Sequence, residues 1–470
     1  MKSWLPLPHL GLPPSERGVA IAGPGLSLQS APGLSRLSTT VIGGGHRAEG
    51  DGTGNLGGGS STAGTPAAGA IKAHRLGTHR TVAPAETLKR IGPLAFQMGI
   101  TRVANITGLD RIGVPVVMVC RPNSRSIAVS QGKGLDLAAA KASGLMEAVE
   151  TFHAETITSS LKLGTYRELG RTHPLVDVAA LPRTKTSPYT DDEPLLWIEG
   201  EDLISRSSCW VPYELVHTDY TMPRGPAHGC FLANTNGLAS GNHILEAISH
   251  GIHEVIERDA TALWKHTRRR SRRALDLETV NDDACRWVLE QFARADIAVR
   301  AWDTTSDVGI ASFSCLVLGR DDDAADPEFA AGCHPVRGIA LLRALTEAAQ
   351  ARTTYIAGSR DDFWAEDYEP AQRARRLSEC RSLMATDAAT RDFHDVPTRD
   401  LDSCDEDVTW ALERLRAVGI RQVVAVNLTK PELDIPVVRI LIPGLEGLDN
   451  GERGKYQPGP RALAVSGRLA

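Results

Sequence analysis

The chain lacks an excess of positive charge: 52 Lys and Arg stand against 57 Asp and Glu, a formal net charge of −5 with a pI near 6.3. A strongly basic nucleic-acid coat is excluded. It also lacks an apolar run long enough to span a bilayer, because the longest clean stretch, Ile112 to Cys120, falls well short of the roughly 18 residues that a membrane helix needs. The first residues carry one lysine and scattered prolines, with no apolar core ending in a small-residue cleavage site. No secretory signal is read, and a cytoplasmic protein is expected. Cysteines are few and scattered: Cys120, Cys209, Cys230, Cys285, Cys315, Cys333, Cys380 and Cys404 include no Cys-x-x-Cys pair. That removes the zinc and dithiol signatures and leaves the thiols as small hydrophobes.

What is present is an ordinary globular composition, 42% hydrophobic and 23% charged over 470 residues, enough for a large core. Residues 1–68 differ, with Leu5-Pro-Leu-Pro8, Gly43-Gly-Gly45 and Gly57-Gly-Gly59 among few large apolar side chains. They are expected to form a disordered extension ahead of a folded body at 69–470. Within the body, Ala85–Ile91 has helical spacing, while Val116–Cys120 and Ser126–Ser130 read as buried strands. Three long Ala-rich helices are predicted at about 135–154, 243–264 and 339–356. A strand-rich stretch (298–318), a charged helix (365–384) and a closing α/β unit at about 405–460 complete the pattern. The class expected is mixed α/β (α+β), with sheets packed against the long helices.

Those helices share one polar offset. Ser143, Glu147 and Glu150 on the first, and Arg343, Glu347 and Gln350 on the third, both fall at i, i+4 and i+7. Glu246, His250, His253, Glu254 and Glu257 share one broad face of the second. Solvent-exposed faces would account for any one helix, but exposed glutamates usually have a cation four residues on. Here Glu147 is followed by Thr151, Glu150 by Ala154, Glu246 by His250, Glu257 by Thr261 and Glu347 by Ala351; Glu254 alone meets a base, Arg258. Carboxylates clustered without cations repel, and Glu147, Glu150, Glu246, Glu254 and Glu257 suit Mg²⁺, which takes oxygen ligands and shares them with phosphate. His250 and His253 are expected to pack or hydrogen-bond rather than ligate.

The loops Ser130–Gly134 and Asn234–Asn242 offer backbone amides of the kind that favour phosphate. Neither matches a Walker loop, and each alone also reads as a tight turn with Ser240 or Asn242 as helix cap. With Lys133 and Arg343 as phosphate partners, they outline a nucleotide site without a P-loop.

Three ordered motifs, Gln131–Glu150, Asn236–Asp259 and Arg343–Gln350, resemble the YcaO-domain family over about residues 73–460. The resemblance implies a YcaO-like fold and an ATP- and Mg²⁺-dependent enzyme that activates a peptide-backbone amide. It assigns Ser143, Glu147 and Glu150 to the first nucleotide and metal set, Asn242, Glu246, Glu254, Glu257 and Arg258 to the second, and Arg343 with Glu347 to the third. Thr151 departs from the family, where arginine often follows the second glutamate of the first motif. A phosphate contact at that position is in doubt, with Lys133 as the compensating cation.

An amide oxygen is a very poor leaving group, but if a nucleophile adds to the carbonyl and the resulting oxyanion takes the γ-phosphoryl of ATP, phosphate leaves instead; such a transfer demands positioning and charge neutralisation more than covalent help. A Cys, Ser or Thr nucleophile in the substrate then gives an azoline; external sulfide gives a thioamide. The alternating-proline tail of many azoline-forming members is absent. Gly99–Asp110, Arg121–Arg125 and Gly358–Asp362 resemble the branch that works with a TfuA-type partner. Thioamide formation is therefore the expected chemistry, with a peptide or protein substrate, a TfuA-like partner, a sulfur donor and a homodimer. The alternatives are an azoline-forming cyclodehydratase, an accessory factor for ribosomal-protein methylthiolation, and a scaffold that lost turnover. The run Arg268–Arg273 reads as a solvated turn favoured by the helix dipole, and suits an acidic leader peptide better than RNA. Asp361 and Asp362 either close over the nucleotide or lie in a solvated loop. Cys209, Trp210 and Trp264 read as core or interface residues.

Overall fold

Strands form where β-branched and small residues run together between turns, and they assemble into three separate sheets. The computed structural model describes residues 70–223, 228–320, 326–385, 390–447 and 456–467, so the predicted extension at 1–68 lies outside the described residues. After α1 (Pro84–Ile91), the strands β1 (Arg102–Asn105), β2 (Val116–Cys120) and β3 (Val129–Lys133) make an antiparallel three-stranded sheet in chain order. Helix α2 (Leu137–Glu155) follows directly. Then come β4 (Leu161–Gly164), the single turn α3 (Tyr166–Leu169), β5 (Leu195–Asp202), β6 (Ser207–Pro212), β7 (Leu238–Ser240) and α4 (Ile244–His266). The next stretch holds β8 (Arg273–Leu275), α5 (Asp283–Arg294), β9 (Ile297–Asp303), β10 (Ser312–Gly319), β11 (Glu328–Cys333) and α6 (Arg337–Ala357). The chain continues through α7 (Pro370–Met384), β12 (Thr390–Arg391), α8 (Cys404–Ala417), β13 (Val424–Asn427), β14 (Val437–Leu441) and α9 (Pro460–Ser466).

The second sheet runs β11-β10-β9-β8-β12, and the third runs β4-β5-β13-β14-β7 with β6 also on β5. The strands of the closing α/β stretch thus occupy the middle of the third sheet, where β14 lies between β13 and β7. The predicted strand at Ser126–Ser130 forms three residues later. Ser124 and Ser126 are held by Glu155, whose Oε1 accepts from both hydroxyls and from the Ser126 amide. Pairing can begin only past that turn, with Val129 opposite Cys120.

Glycine sets the helices close against their sheets at two equivalent places. A Cβ on Gly132 of β3 would run into the Ala140 carbonyl and the Gly144 amide of α2; one on Gly332 of β11 would meet the Ala340 carbonyl and the Ala344 amide of α6. The two strand–helix units are therefore built alike, and Ser143, Glu147 and Glu150 correspond in position to Arg343, Glu347 and Gln350. Burial goes further than the amphipathic pattern indicates. From Gly338 to Tyr355 every residue of α6 except Arg343 is buried, because the helix packs against β11 and β10 and also touches β3. Helix α4 packs on β7 and β14 and reaches β11, so the glutamate stripes of α2, α4 and α6 converge between the sheets.

Candidate active site

The three helices enclose a cavity of about 490 Å³, and every residue singled out for nucleotide or metal lines it: Lys133, Ser143, Glu147, Glu150, Asn242, Glu246, Glu254, Glu257, Arg258, Arg343 and Glu347. Its remaining wall includes the segment 74–87, the stretch 126–136 of β3 and its flanking loops, the loop 233–235, Tyr220, Arg360 and Asp362. The turn ahead of α4 is arranged by the site itself. His243, rather than Ser240 or Asn242, caps the helix by accepting from the Leu245 amide. Ser240 instead gives both its N–H and its hydroxyl to Glu150 Oε1 at 2.9 and 2.7 Å. Asn242 directs its N–H and its side-chain amide to Glu246 Oε1 and accepts from the Thr87 hydroxyl.

The carboxylates divide into two kinds. Glu246, expected at the metal, has both oxygens engaged: Oε2 accepts from the Thr81 amide and hydroxyl at 2.8 Å each, and Oε1 faces Asn242 and, at 3.4 Å, Arg80. It ties the segment ahead of α1 to the start of α4. Glu147, Glu150, Glu254 and Glu257 are deeper, and withdrawal from water outweighs what partners they have, such as Ser240 on Glu150, so that the carboxyl groups of all four stay above the ordinary range, Glu150 at about 8 and Glu257 at about 7. Arg258 lies 3.5 Å from Glu254 and 3.8 Å from Glu257, and counters only part of that cost. Glu347 shares Oε2 with Lys133 at 3.3 Å, while its buried Oε1 has no partner, as does Oε1 of the neighbouring Gln350.

Arg343 gives Nη1 to the Cys333 carbonyl, and burial lowers its pKa to about 10. Oxygen donors in excess of local cations, beside cations that can face phosphate, fit a nucleotide carrying Mg²⁺. Among the described residues no three His, Cys, Asp or Glu side chains gather into a metal cage of their own. The donor set therefore matches an ion that keeps waters and shares its shell with phosphate.

Two cations escaped the sequence pattern. Arg80 and Arg360 reach the cavity from segments without helical period, where spacing gives no signal; only the likeness of Gly358–Asp362 to the TfuA-associated branch pointed near Arg360. Arg360 is held in a fork by Asp362, so Asp362 reaches the cavity while Asp361 faces the Ala128 amide. Thr151 is committed elsewhere: its hydroxyl accepts from Arg121 at 2.8 Å, and Arg121 is in turn paired with buried Glu155 at 2.7 Å. His250 lines the cavity, whereas His253 lies back from it, 3.4 Å from the Ser249 hydroxyl and beside His334. Burial pushes all three imidazoles well down, His253 to about 3.

These shifts make stability depend on pH in a definite direction. A carboxyl raised in the folded state stabilises fully below about 4.5, and that contribution drains as pH rises through about 7 and 8 for Glu257 and Glu150. The depressed imidazoles act oppositely, losing their contribution as pH falls below about 6.5. The ligand-free protein should melt highest near pH 6.5 and several degrees lower at pH 8. Mg²⁺ with a non-hydrolysable ATP analogue should restore more at pH 8 than at pH 6.5. Scanning fluorimetry checks this, and a ligand-free melting temperature that climbs from pH 6.5 to 8 would contradict it.

Comparison with known proteins identifies the family and its cofactors. The family model described as YcaO cyclodehydratase, ATP- and Mg²⁺-binding, matches residues 131–446. A protein from the tfuA 3′ region of Rhizobium leguminosarum bv. trifolii is 36% identical over 376 residues, covering 78% of this chain and 88% of its own. A Methanothermobacter thermautotrophicus protein is 36% identical over 379 residues, covering 78% and 95%. Among solved structures, YcaO from Methanopyrus kandleri bound with AMPPCP and Mg²⁺ superposes with a TM-score of 0.64 at 24% identity, over 83% of this chain and 99% of that one. A heterocyclase in complex with substrate and cofactor reaches 0.67 at 22% identity over 78% of this chain, which spans 53% of that longer protein. At these identities the structures show the shared fold. Among the described residues no helix is long and apolar enough to cross a membrane. The chain belongs to the YcaO family, the ATP- and Mg²⁺-binding cyclodehydratase family, and its cofactors are ATP and Mg²⁺.

Proposed function

We propose that this protein phosphorylates a peptide-backbone amide oxygen with ATP and, with a TfuA-type partner delivering sulfur, converts the amide to a thioamide. The observation that carries the reading is the one cavity lined by Glu147, Glu150, Glu254 and Glu257, whose carboxylates outnumber the cations Lys133, Arg258 and Arg343 beside them. Bound ATP supplies a phosphoryl group that makes the amide oxygen a leaving group. The chain's own share is electrostatic: the four glutamates with Glu347 hold Mg²⁺, and the three cations with Ser143 and Asn242 orient the phosphates. The buried walls keep water from competing for the phosphoryl group.

The thioamide outcome is supported by the relative from a tfuA 3′ region and by the resemblance of 99–110, 121–125 and 358–362 to that branch. The second reading, azoline formation, is favoured by the cyclodehydratase description of the family. Mass spectrometry of a candidate peptide after incubation with ATP, Mg²⁺, a sulfide source and the partner separates them. Exchange of one oxygen for sulfur is the expected result; loss of one water without sulfur would replace the thioamide reading by the azoline one.

A further inference from the structure

The polar stripe of α4 does not stop at Glu257. Thr261 and Trp264 follow at i+4 and i+7, and Trp264 opens on a second cavity of about 440 Å³, roughly 10 Å farther along the helix. Its walls are the end of α4, residues 271–273 of the following turn, the loop 303–307 after β9, and α9.

Two residues of this wall carry buried polar atoms that lack partners among the described residues. Trp264 is 8% exposed and its indole N–H has no acceptor there; Thr304 is 6% exposed and its hydroxyl has none either. A buried donor left unmade costs about 1–3 kcal/mol, a cost that a ligand acceptor reaching either group from the cavity would remove. The charges tell the same story. Arg461 is matched by Asp259 at 2.9 Å and by Asp307, and Asp303 is shared by Arg273 at 3.2 Å and Arg391 at 3.4 Å. Arg272 is different: Nε and Nη2 donate only to the Trp264 and Lys265 carbonyls, and its guanidinium lies 3.9 Å over the Trp264 ring. In the chain immediately ahead of the lining residues 271–273, Arg268, Arg269 and Arg270 are exposed, and none pairs with a carboxylate among the described residues. This concentration of unmatched cations sits on a chain of net charge −5, so it is a local, directed field.

The indole is covered by Arg272 and packed at a tilt against Trp302 and Phe329. With 8% of the residue exposed, it offers little face on which a nucleobase could stack, and stacking supplies much of single-strand binding. Carboxylates, by contrast, match guanidinium forks and an indole donor.

We propose that this cavity and the arginine run leading into its wall bind an acidic peptide segment, one carboxylate meeting Arg272 and the Trp264 N–H and others meeting Arg268, Arg269 and Arg270. That the segment belongs to the peptide being modified rests on the function proposed above; its acidic class does not.

The test is fluorescence anisotropy of fluorescein-labelled hexaglutamate with the full chain, over a salt series. Binding should be saturable at low salt and fall steeply as salt rises. Trp264→Phe keeps an aromatic ring under Arg272 and removes the N–H together with three ring atoms of a packed indole; weaker binding by about tenfold in a variant that stays folded by circular dichroism is the expected result. The triple variant R268S/R269S/R270S should abolish it with no change in melting temperature. Absence of binding at low salt, equal affinity in both variants, or equally tight binding of a thymidine oligonucleotide through the same residues would each overturn the proposal. If hexaglutamate binds in a Trp264-dependent way but no peptide is ever phosphorylated or thiolated, the acidic site stands and the function proposed above falls.

Discussion

Glu257→Gln is expected to lower Mg²⁺-dependent ATP turnover by roughly a hundredfold or more without unfolding the chain. Glu257 is buried on α4, with Arg258 at 3.8 Å as its nearest cation and Glu254 and Glu347 adding like charge. Its carboxylate is therefore costly in the ligand-free protein and becomes favourable only opposite a divalent ion. Glutamine keeps the shape and removes the charge, so the metal loses an anionic ligand while the folded state loses a repulsion. The paired signature is loss of turnover with an unchanged or higher ligand-free melting temperature at pH 8. Phosphate release and calorimetric titration with ATP, with and without Mg²⁺, read the first; fluorimetry reads the second. Turnover at the unmodified rate would remove Glu257 from the metal set. Lower stability with intact turnover would make it a structural residue.

Gly332→Ala should be the most damaging small substitution among those that touch no ligand. The added methyl would press on the Ala340 carbonyl, the Ala344 amide and the Arg343 Cβ, all belonging to a helix that cannot retreat without opening the core between α6 and the face of β10 and β11. A destabilisation of about 3 kcal/mol or more is expected, in the range of severe overpacking. Gly132→Ala on β3 should behave alike, since the new Cβ meets the Ala140 carbonyl and Gly144 amide. Gly92→Ala is the control, because its surroundings are open and its φ is −49°. Urea midpoints that move no further for Gly132 and Gly332 than for Gly92 would show that the close strand–helix contact is not needed. The variants should also lose nucleotide affinity together, since each shift displaces a glutamate of the site by carrying its helix away from the sheet.

The helices were legible because their period is local. Leu137–Glu155, Ile244–His266 and Arg337–Ala357 lie within a few residues of the stretches whose spacing predicted them, and β2 coincides with the apolar run Val116–Cys120. The missing i+4 cations were equally legible, and they pointed correctly to stripes that converge on one cavity. The displacement of β3 was not, because it follows from Glu155 gripping Ser124 and Ser126 across some thirty positions of sequence. Nor was the near-total burial of α6, whose sequence carries the same amphipathic offset as α2 but is covered on several sides.

Sequence alone determined which side chains share a face, how the charges alternate along each helix, and the family motifs, since all of these depend on neighbours three to eleven positions apart. Only the tertiary structure decided what each carboxylate experiences. Glu246 and Glu257 sit on one helix and look alike in the sequence, yet one is saturated by Thr81, Asn242 and Arg80 while the other faces Glu254 and Glu347 with little to offset it. Desolvation and pairing are set by groups brought in from remote segments, here 74–87, 233–235 and 358–362, so no periodicity could rank the glutamates or show that Arg80 and Arg360 complete the ring of charge around them.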